Sequence, residues 1–293
     1  MKRTALHLLA PIALLALGAA CGGSAPDEAS IETPQKIIAL APSAAEVLHV
    51  LGLSERVVGV GDYVKWPPEL AAKKRLGGLF NPDFESIVAL APDLAVLLAS
   101  EEALRSQLEA IGVEVLVIPS ETLGDVELAV QTIAERCGVT EKGHEVLRQW
   151  RLDLRPDPLG ESMRVALVVG REPRRLGDMV VAGPGTFFDQ LLSRLGVGNA
   201  FYDAEALYPQ VGLEEILRRR PDVVLEIQPL AVPKTREDAL RRDWLELDSL
   251  TDGVPCVEFV AGDHVLVPGP RLPQVLAQLR EALQRCGGRE TAG

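Results

Sequence analysis

Two glutamates at matching places in a repeated pattern are the residues of this 293-residue chain most clearly arranged for chemistry. Asn81 to Leu97 reads NPDFESIVALAPDLAVL, and Gln210 to Leu225 reads QVGLEEILRRRPDVVL. Laid over each other, Phe84 meets Leu213, Glu85 meets Glu214, Ile87 meets Ile216, and Pro92-Asp93 meets Pro221-Asp222. Each copy spells a short amphipathic helix with a carboxylate in its first turn, where the helix dipole favours it. A Pro then stops the helix before an apolar strand. Such a carboxylate either serves the dipole alone or offers a charge to a cationic partner. Strand and helix units recur in any α/β chain, so the repeat gains meaning only beside other features.

Other reactive residues fit no familiar catalytic or metal pattern. Gly59-Val60-Gly61 begins a dinucleotide fingerprint, but no third Gly follows at the required spacing and Tyr63 to Pro68 does not read as a helix start. There is no G-x-S-x-G elbow and no HExxH. His49 and His144 have no partners at ligand spacing, and with only three histidines after residue 20 the chain fits binding of a bare metal ion poorly. Cys137, Cys256 and Cys286 lack CxxC spacing; one disulfide at most can form among them, and the sequence does not choose the pair. A two-lobed α/β enzyme is therefore the alternative reading, and catalysis is not expected.

The elements that would carry these residues alternate. Lys36–Leu40 predicts a strand, and Ser43-Ala44-Ala45-Glu46 a capping box opening a helix to Leu51. Val57–Val60 is the next strand, followed by a loop, Gly61 to Pro68, whose Tyr63 and Trp66 are not at core periodicity. After the first repeat copy come a helix at Glu101–Ile111 and a strand at Val113–Ile118. Leu123–Cys137 and Glu141–Arg155 have helical spacing with no strand between them, interrupted around Gly138 and Gly143 and closed by Pro156 and Pro158. A second alternating lobe starts with a strand at Arg164–Val169. In it, Thr186 can cap a helix at Phe187–Leu195, and the second repeat copy follows. A helix near Lys234–Leu245, strands around Val257–Val260 and Val265–Val267, and a helix from Leu272 to Arg285 complete it. The expected fold is two Rossmann-like α/β lobes joined by a helical connector with a ligand cleft between them: 36–120, 121–158 and 159–288, then a tail at 289–293.

The beginning of the chain reads as an export signal. Lys2 and Arg3 precede an apolar run from Ala5 to Leu17, and Gly18-Ala19-Ala20 leads into Cys21. The run is too short for a comfortable span of about 20 residues, so 1–20 is expected to be removed. LGAAC resembles the lipobox of bacterial lipoproteins, with Leu17 one place further out than usual. Cys21 is the expected lipidation site and 21–35 a flexible tether; ordinary cleavage after Ala20 is the alternative. Of 30 basic residues, loss of Lys2 and Arg3 leaves 28 against 42 acidic ones, a formal net charge of −14. Nucleic acid is not an expected partner.

Taken together, KIIALAPSAAEVLHVLG, the Asp62 to Pro68 loop, the repeat, AGPGTFFDQLL and VPGPR resemble the periplasmic binding proteins of the cobalamin, haem and ferric-siderophore class. These are the substrate-binding components of type II ABC importers. The resemblance spans nearly all of residues 36 to 285 and implies two lobes bridged by one long helix. It also implies that Glu85 and Glu214 dock onto arginines of the permease, with Glu215 a possible substitute. Tyr63, Trp66 and Tyr208 match aromatic cleft positions of the family, Phe80 lies close to another, and Asp263 matches a polar one. His264 stands where cobalamin binders carry a further aromatic and could bond to a chelate. Tyr202 and Met179 are further candidates. One of Phe187 and Phe188 is expected in the core, and Trp244 is read as packing. Arg171 at a strand end and Arg271 in the GPR motif could each meet a carboxylate or phosphate on the ligand, although Arg271 equally suits a structural pair. The expected protein is an exported, membrane-anchored lipoprotein and likewise a monomer. It would capture cobalamin or a related corrinoid, or alternatively a ferric siderophore or haem, without a resident cofactor, and deliver it to an ABC permease with its ATPase.

Overall fold

Apolar β-branched strands with helices between them must bury both sheet faces, and the chain does so twice. The computed structural model describes residues 32–160, 162–229, 233–245 and 255–287. The signal segment 1–20, Cys21 with most of the tether, and the tail at 289–293 lie outside the described residues.

The first lobe runs β1 (Ile37–Ala39), α1 (Pro42–Val50), β2 (Val57–Val60), α2 (Pro68–Ala71), β3 (Lys74–Arg75), β4 (Gly77–Gly78), β5 (Asn81–Pro82), α3 (Phe84–Leu90), β6 (Leu94–Leu98), α4 (Glu102–Ala110) and β7 (Glu114–Ile118). Its main sheet is parallel, in the order β3-β2-β1-β6-β7, and β4 and β5 form a separate hairpin. After α5 (Leu123–Arg136) and α6 (Thr140–Asp153), the second lobe runs β8 (Arg164–Gly170), β9 (Met179–Val181), α7 (Phe187–Arg194), β10 (Gly198–Asn199), β11 (Gln210–Val211), α8 (Leu213–Arg219), β12 (Val223–Gln228), α9 (Lys234–Leu245), β13 (Cys256–Ala261) and α10 (Leu272–Gly287). Here β8, β12 and β13 are parallel neighbours, β9 and β11 extend the sheet antiparallel beyond β8, and β10 also pairs with β8. Among the described residues no helix is long and apolar enough to cross a membrane.

The repeat is structural to the level of single hydrogen bonds. Both α3 and α8 end on a non-glycine residue in the left-handed region, Ala91 (φ 46°) and Arg220 (φ 45°). The following aspartates clamp the start of each lobe's first strand. Asp93 accepts from the backbone N–H of Gln35 at 2.8 Å and of Lys36 at 3.0 Å. Asp222 accepts from that of Arg164 at 2.7 Å. In both lobes the aspartate's own N–H donates back to the same segment, to Lys36 O and Arg164 O.

Four expectations change. The first helix begins at Pro42 with Ala41 as N-cap and no side-chain cap, because Pro at the first helical position needs no N–H partner. Glu46 therefore lies beyond capping range and is buried. Only Gly138, in a left-handed turn (φ 70°), interrupts the connector. Gly143 lies inside α6 and lets the helices approach: a Cβ there would stand 2.7 Å from Ala134 Cβ. The connector is thus two packed helices, not one long one. Finally, Val265–Val267 forms turns instead of a strand.

Both connector helices divide their apolar faces between the lobes. Leu123 and Val126 of α5, with Trp150 of α6, join the core of the second lobe. Ala129, Val130, Ile133 and Ala134 of α5, with Leu147 of α6, join that of the first. A fully buried aliphatic side chain contributes about 1.5–3 kcal/mol, so the connector is bound firmly to both lobes. From Thr33 onward the chain forms one compact unit. The disulfide joins Cys256 at the start of β13 to Cys286 near the end of α10, and Cys137 is a buried free thiol.

Candidate functional site

Parallel strands leave their carboxyl ends open to a crevice, and both lobes turn those ends toward the same space. A cavity of about 440 Å³ lies there. The first lobe contributes Ala41-Pro42-Ser43 after β1, Leu98 at the end of β6, Ser120 and Glu121 after β7, and Leu79 from the β4–β5 turn. The second contributes Val169 of β8, Val180 of β9, Phe187 and Phe188 of α7, Tyr208, and Leu266-Val267-Pro268. Thr186 caps α7 by accepting from Asp189 N at 3.2 Å, and Phe187 N donates to Glu121 O at 2.8 Å, tying the two walls together. The wall is mainly apolar. Its polar groups are Ser43, Ser120, Glu121 and the Tyr208 phenol, whose pKa is pushed up to about 12 by burial first and by Glu121 second.

Two aromatic side chains of the first lobe stand by the hairpin whose Leu79 lines the cavity. Tyr63 is 65% exposed and Phe80, on the β4–β5 hairpin, 95%. Tyr63 packs beside that hairpin, since a Cβ on Gly78 would lie 3.5 Å from its ring. On the second lobe Tyr208 reaches the cavity wall, whereas the exposed Tyr202 follows β10, which pairs with the opposite, amino-terminal end of β8. Phe187 and Phe188 are both buried, with ring centroids 4.2 Å apart, so both serve as core and as wall. Met179 is fully buried.

Four of the expected cleft residues, Arg171, Arg271, Asp263 and Trp66, are held in contacts of their own. The Arg171 side chain has no exposed surface; it donates to Glu226 at 2.6 Å, Asp243 at 2.8 Å and Leu240 O at 3.0 Å. Trp244 Nε1 donates to the same Glu226 oxygen at 2.8 Å, confirming its packing role. This network holds α9 to the sheet and neutralises the guanidinium within the protein. Arg271 crosses to the other lobe. Its Nε and Nη2 reach Glu46 Oε1 at 3.0 and 2.5 Å, and its Nη1 reaches Asp263 at 2.9 Å. Trp66 lies under that guanidinium, 4.7 Å from ring centroid to Cζ, with its edge against His49. Arg271, Asp263 and Trp66 therefore form a clasp between lobes. Within it Glu46 Oε2 is buried with no hydrogen bond, and burial raises the Glu46 pKa to about 7 despite Arg271. His264 Nε2 is likewise buried and unbonded, with Nδ1 3.5 Å from Asp263.

Beside the main cavity a second hollow of about 360 Å³ shares Val169, Val180 and Leu266 with it and is edged by Glu172, Arg175, Asp178 and Arg236. Among the described residues, the one close group of metal-ligating side chains is Cys256, Glu258 and Cys286. Its thiols are joined in the disulfide and Glu258 pairs with Arg285, so it offers no cation site.

Glu85 and Glu214 both occupy the first turn of their helices and are exposed, and neither side chain has a partner among the described residues. Glu215 differs: Arg218 and Arg219 both hold it, lowering its pKa to about 2. Sequence reasoning missed Glu46 and Glu121. Glu46 had the disguise of a capping box, and Glu121 carried no signal beyond its place after a strand.

The profile of the family described as Periplasmic binding protein matches residues 37–245. An uncharacterised ABC transporter substrate-binding lipoprotein, YvrC, of Bacillus subtilis is 26% identical over 263 residues, spanning 85% of this chain and 80% of that protein. A vitamin B12-binding protein of Pectobacterium carotovorum is 26% identical over 205 residues, 67% of this chain and 72% of its own length. A periplasmic haem-binding protein of Pseudomonas aeruginosa superposes with a TM-score of 0.70 at 25% identity, covering 85% of this chain and 92% of that one.

Proposed function

Because this chain belongs to the periplasmic binding protein family, we propose that it captures a metal chelate between its lobes and delivers it to an ABC permease. Cobalamin or a related corrinoid is the first candidate, and haem or a ferric siderophore the second. The observation that carries the reading is the apolar cavity of about 440 Å³ walled by both lobes at their strand ends, with Tyr208 on its wall and with Tyr63 and Phe80 exposed beside the β4–β5 turn that supplies Leu79 to it. A flat, largely apolar macrocycle suits such a wall, and exposed rings can cover the part that projects from the cavity. The relatives bear the names of solute-binding proteins, which supports binding without catalysis.

Delivery draws on the repeat. Glu85 and Glu214 are free carboxylates at equivalent places on two lobes, suited to steering onto a cationic permease surface. Glu215, already neutralised by two arginines, is not a substitute for Glu214. Export with lipidation of Cys21 would hold the protein beside that permease, and the first-named relative is a lipoprotein. Titration of the purified protein with cobalamin, haem and ferric siderophores, followed by tryptophan fluorescence and calorimetry, tests the reading. Saturable binding of at least one chelate is expected; binding of none refutes it.

A further inference from the structure

The charges around the cavity carry information about its ligand beyond size and shape. Among the described residues no Lys, Arg or His lines the main cavity, and its one ordinarily ionised side chain is Glu121. Asp125 lies near enough to Glu121 to act on it electrostatically, so the field at this wall is negative. The adjoining hollow does not reverse it. Arg171 is neutralised by Glu226 and Asp243, leaving Arg175 and Arg236 against Glu172 and Asp178, with Arg236 3.8 Å from Glu172. Arg271, the other candidate cation, is held between Glu46 and Asp263.

The same wall is poor in metal ligands. No histidine, cysteine or methionine reaches it among the described residues, so it offers a metal no nitrogen or sulfur side-chain donor, only the oxygens of Tyr208, Glu121 and two serines.

Resting on the chelate-binding reading above, we infer that this cleft selects a neutral or cationic chelate whose metal is already coordinatively saturated. A corrinoid with both axial positions filled or a ferric hydroxamate meets that description. A porphyrin bearing propionates and seeking a nitrogen or sulfur axial donor from the protein does not, nor does a polyanionic ferric catecholate. A carboxylate at the wall repels an anionic periphery, and burying that periphery without a cation leaves its charge uncompensated.

The test is a four-ligand titration of the purified protein with hydroxocobalamin, a ferric trihydroxamate, haem and a ferric tricatecholate, at fixed ionic strength. The corrinoid or the hydroxamate, whichever binds, is expected to bind at least about tenfold more tightly than either anionic chelate, and which of them binds identifies the source. Glu121→Lys is expected to narrow that gap by roughly tenfold, and Glu121→Gln by less, in protein whose melting temperature is unchanged. Preference for haem or the catecholate, an unaltered gap in Glu121→Lys, or a tyrosinate-to-iron absorption band in haem-loaded protein would overturn the inference while leaving the chelate-binding reading intact. Binding of none of the four would overturn both.

Discussion

Replacing Glu46 by Gln should change how stability depends on pH more than it changes stability at any one pH. Glu46 is 1% exposed, both guanidinium bonds from Arg271 fall on Oε1, and Oε2 has no donor. Burial therefore outweighs the ion pair and lifts the pKa from 4.5 to about 7. A carboxyl that binds its proton more tightly folded than unfolded stabilises the fold fully below about pH 4.5. That stabilisation is lost as pH rises through the folded value near 7. Between pH 5 and pH 8 the parent should lose roughly 2–3 kcal/mol that Glu46→Gln does not lose, at about 1.36 kcal/mol per pH unit at the steepest. Urea unfolding of both proteins by circular dichroism, at half-unit steps across this range, isolates the effect, since all other titrating groups are common to both. The advantage of the variant over the parent should grow by that amount from acid to base. A difference that stays flat, or grows in the opposite direction, would show that Arg271 keeps the carboxylate charged and that the reasoning about burial is wrong.

Arg171→Met should lower the unfolding free energy by about 3–5 kcal/mol in urea, because Glu226 and Asp243 would remain buried without their cation, and chelate affinity should show no matching loss. Reduction of the Cys256–Cys286 bond, which closes a loop with a sequence separation of 30, should remove about 3.5 kcal/mol, read as a lower urea midpoint in reductant or in the Cys256→Ala, Cys286→Ala double variant. Reversing both docking charges, Glu85→Arg with Glu214→Arg, should abolish stimulation of the reconstituted importer's ATPase while chelate affinity is retained; unchanged stimulation removes the docking role.

What was legible in the sequence was local or repeated. Strand and helix order, the Thr186 cap and the two-copy unit could be read from spacing because neighbouring residues produce them. The Asp93 and Asp222 clamps were present in the pattern as Pro-Asp, although their backbone partners lie 57 and 58 residues away and could not be named. The errors arose where a distant contact overrode a local signal. Ser43 to Glu46 spells a capping box, but Pro42 moves the helix start and the carboxylate meets Arg271 across a separation of 225 residues. Arg171 at a strand end reads as available, and only the folded positions of β12 and α9 show that Glu226 and Asp243 surround it. Gly143 looked like a break because glycine weakens an isolated helix, whereas contact with Ala134 requires it.

The connector's two-sided burial bears on how the molecule comes apart. Each lobe has its own sheet, yet the side chains of α5 and α6 complete both cores, so neither lobe can melt without stripping apolar surface from the other. Two lobes of this kind should behave as one cooperative unit, losing amide protection in both sheets together and showing a single calorimetric transition. The last amides to exchange would be those of the paired helices, whose backbone is needed by both halves.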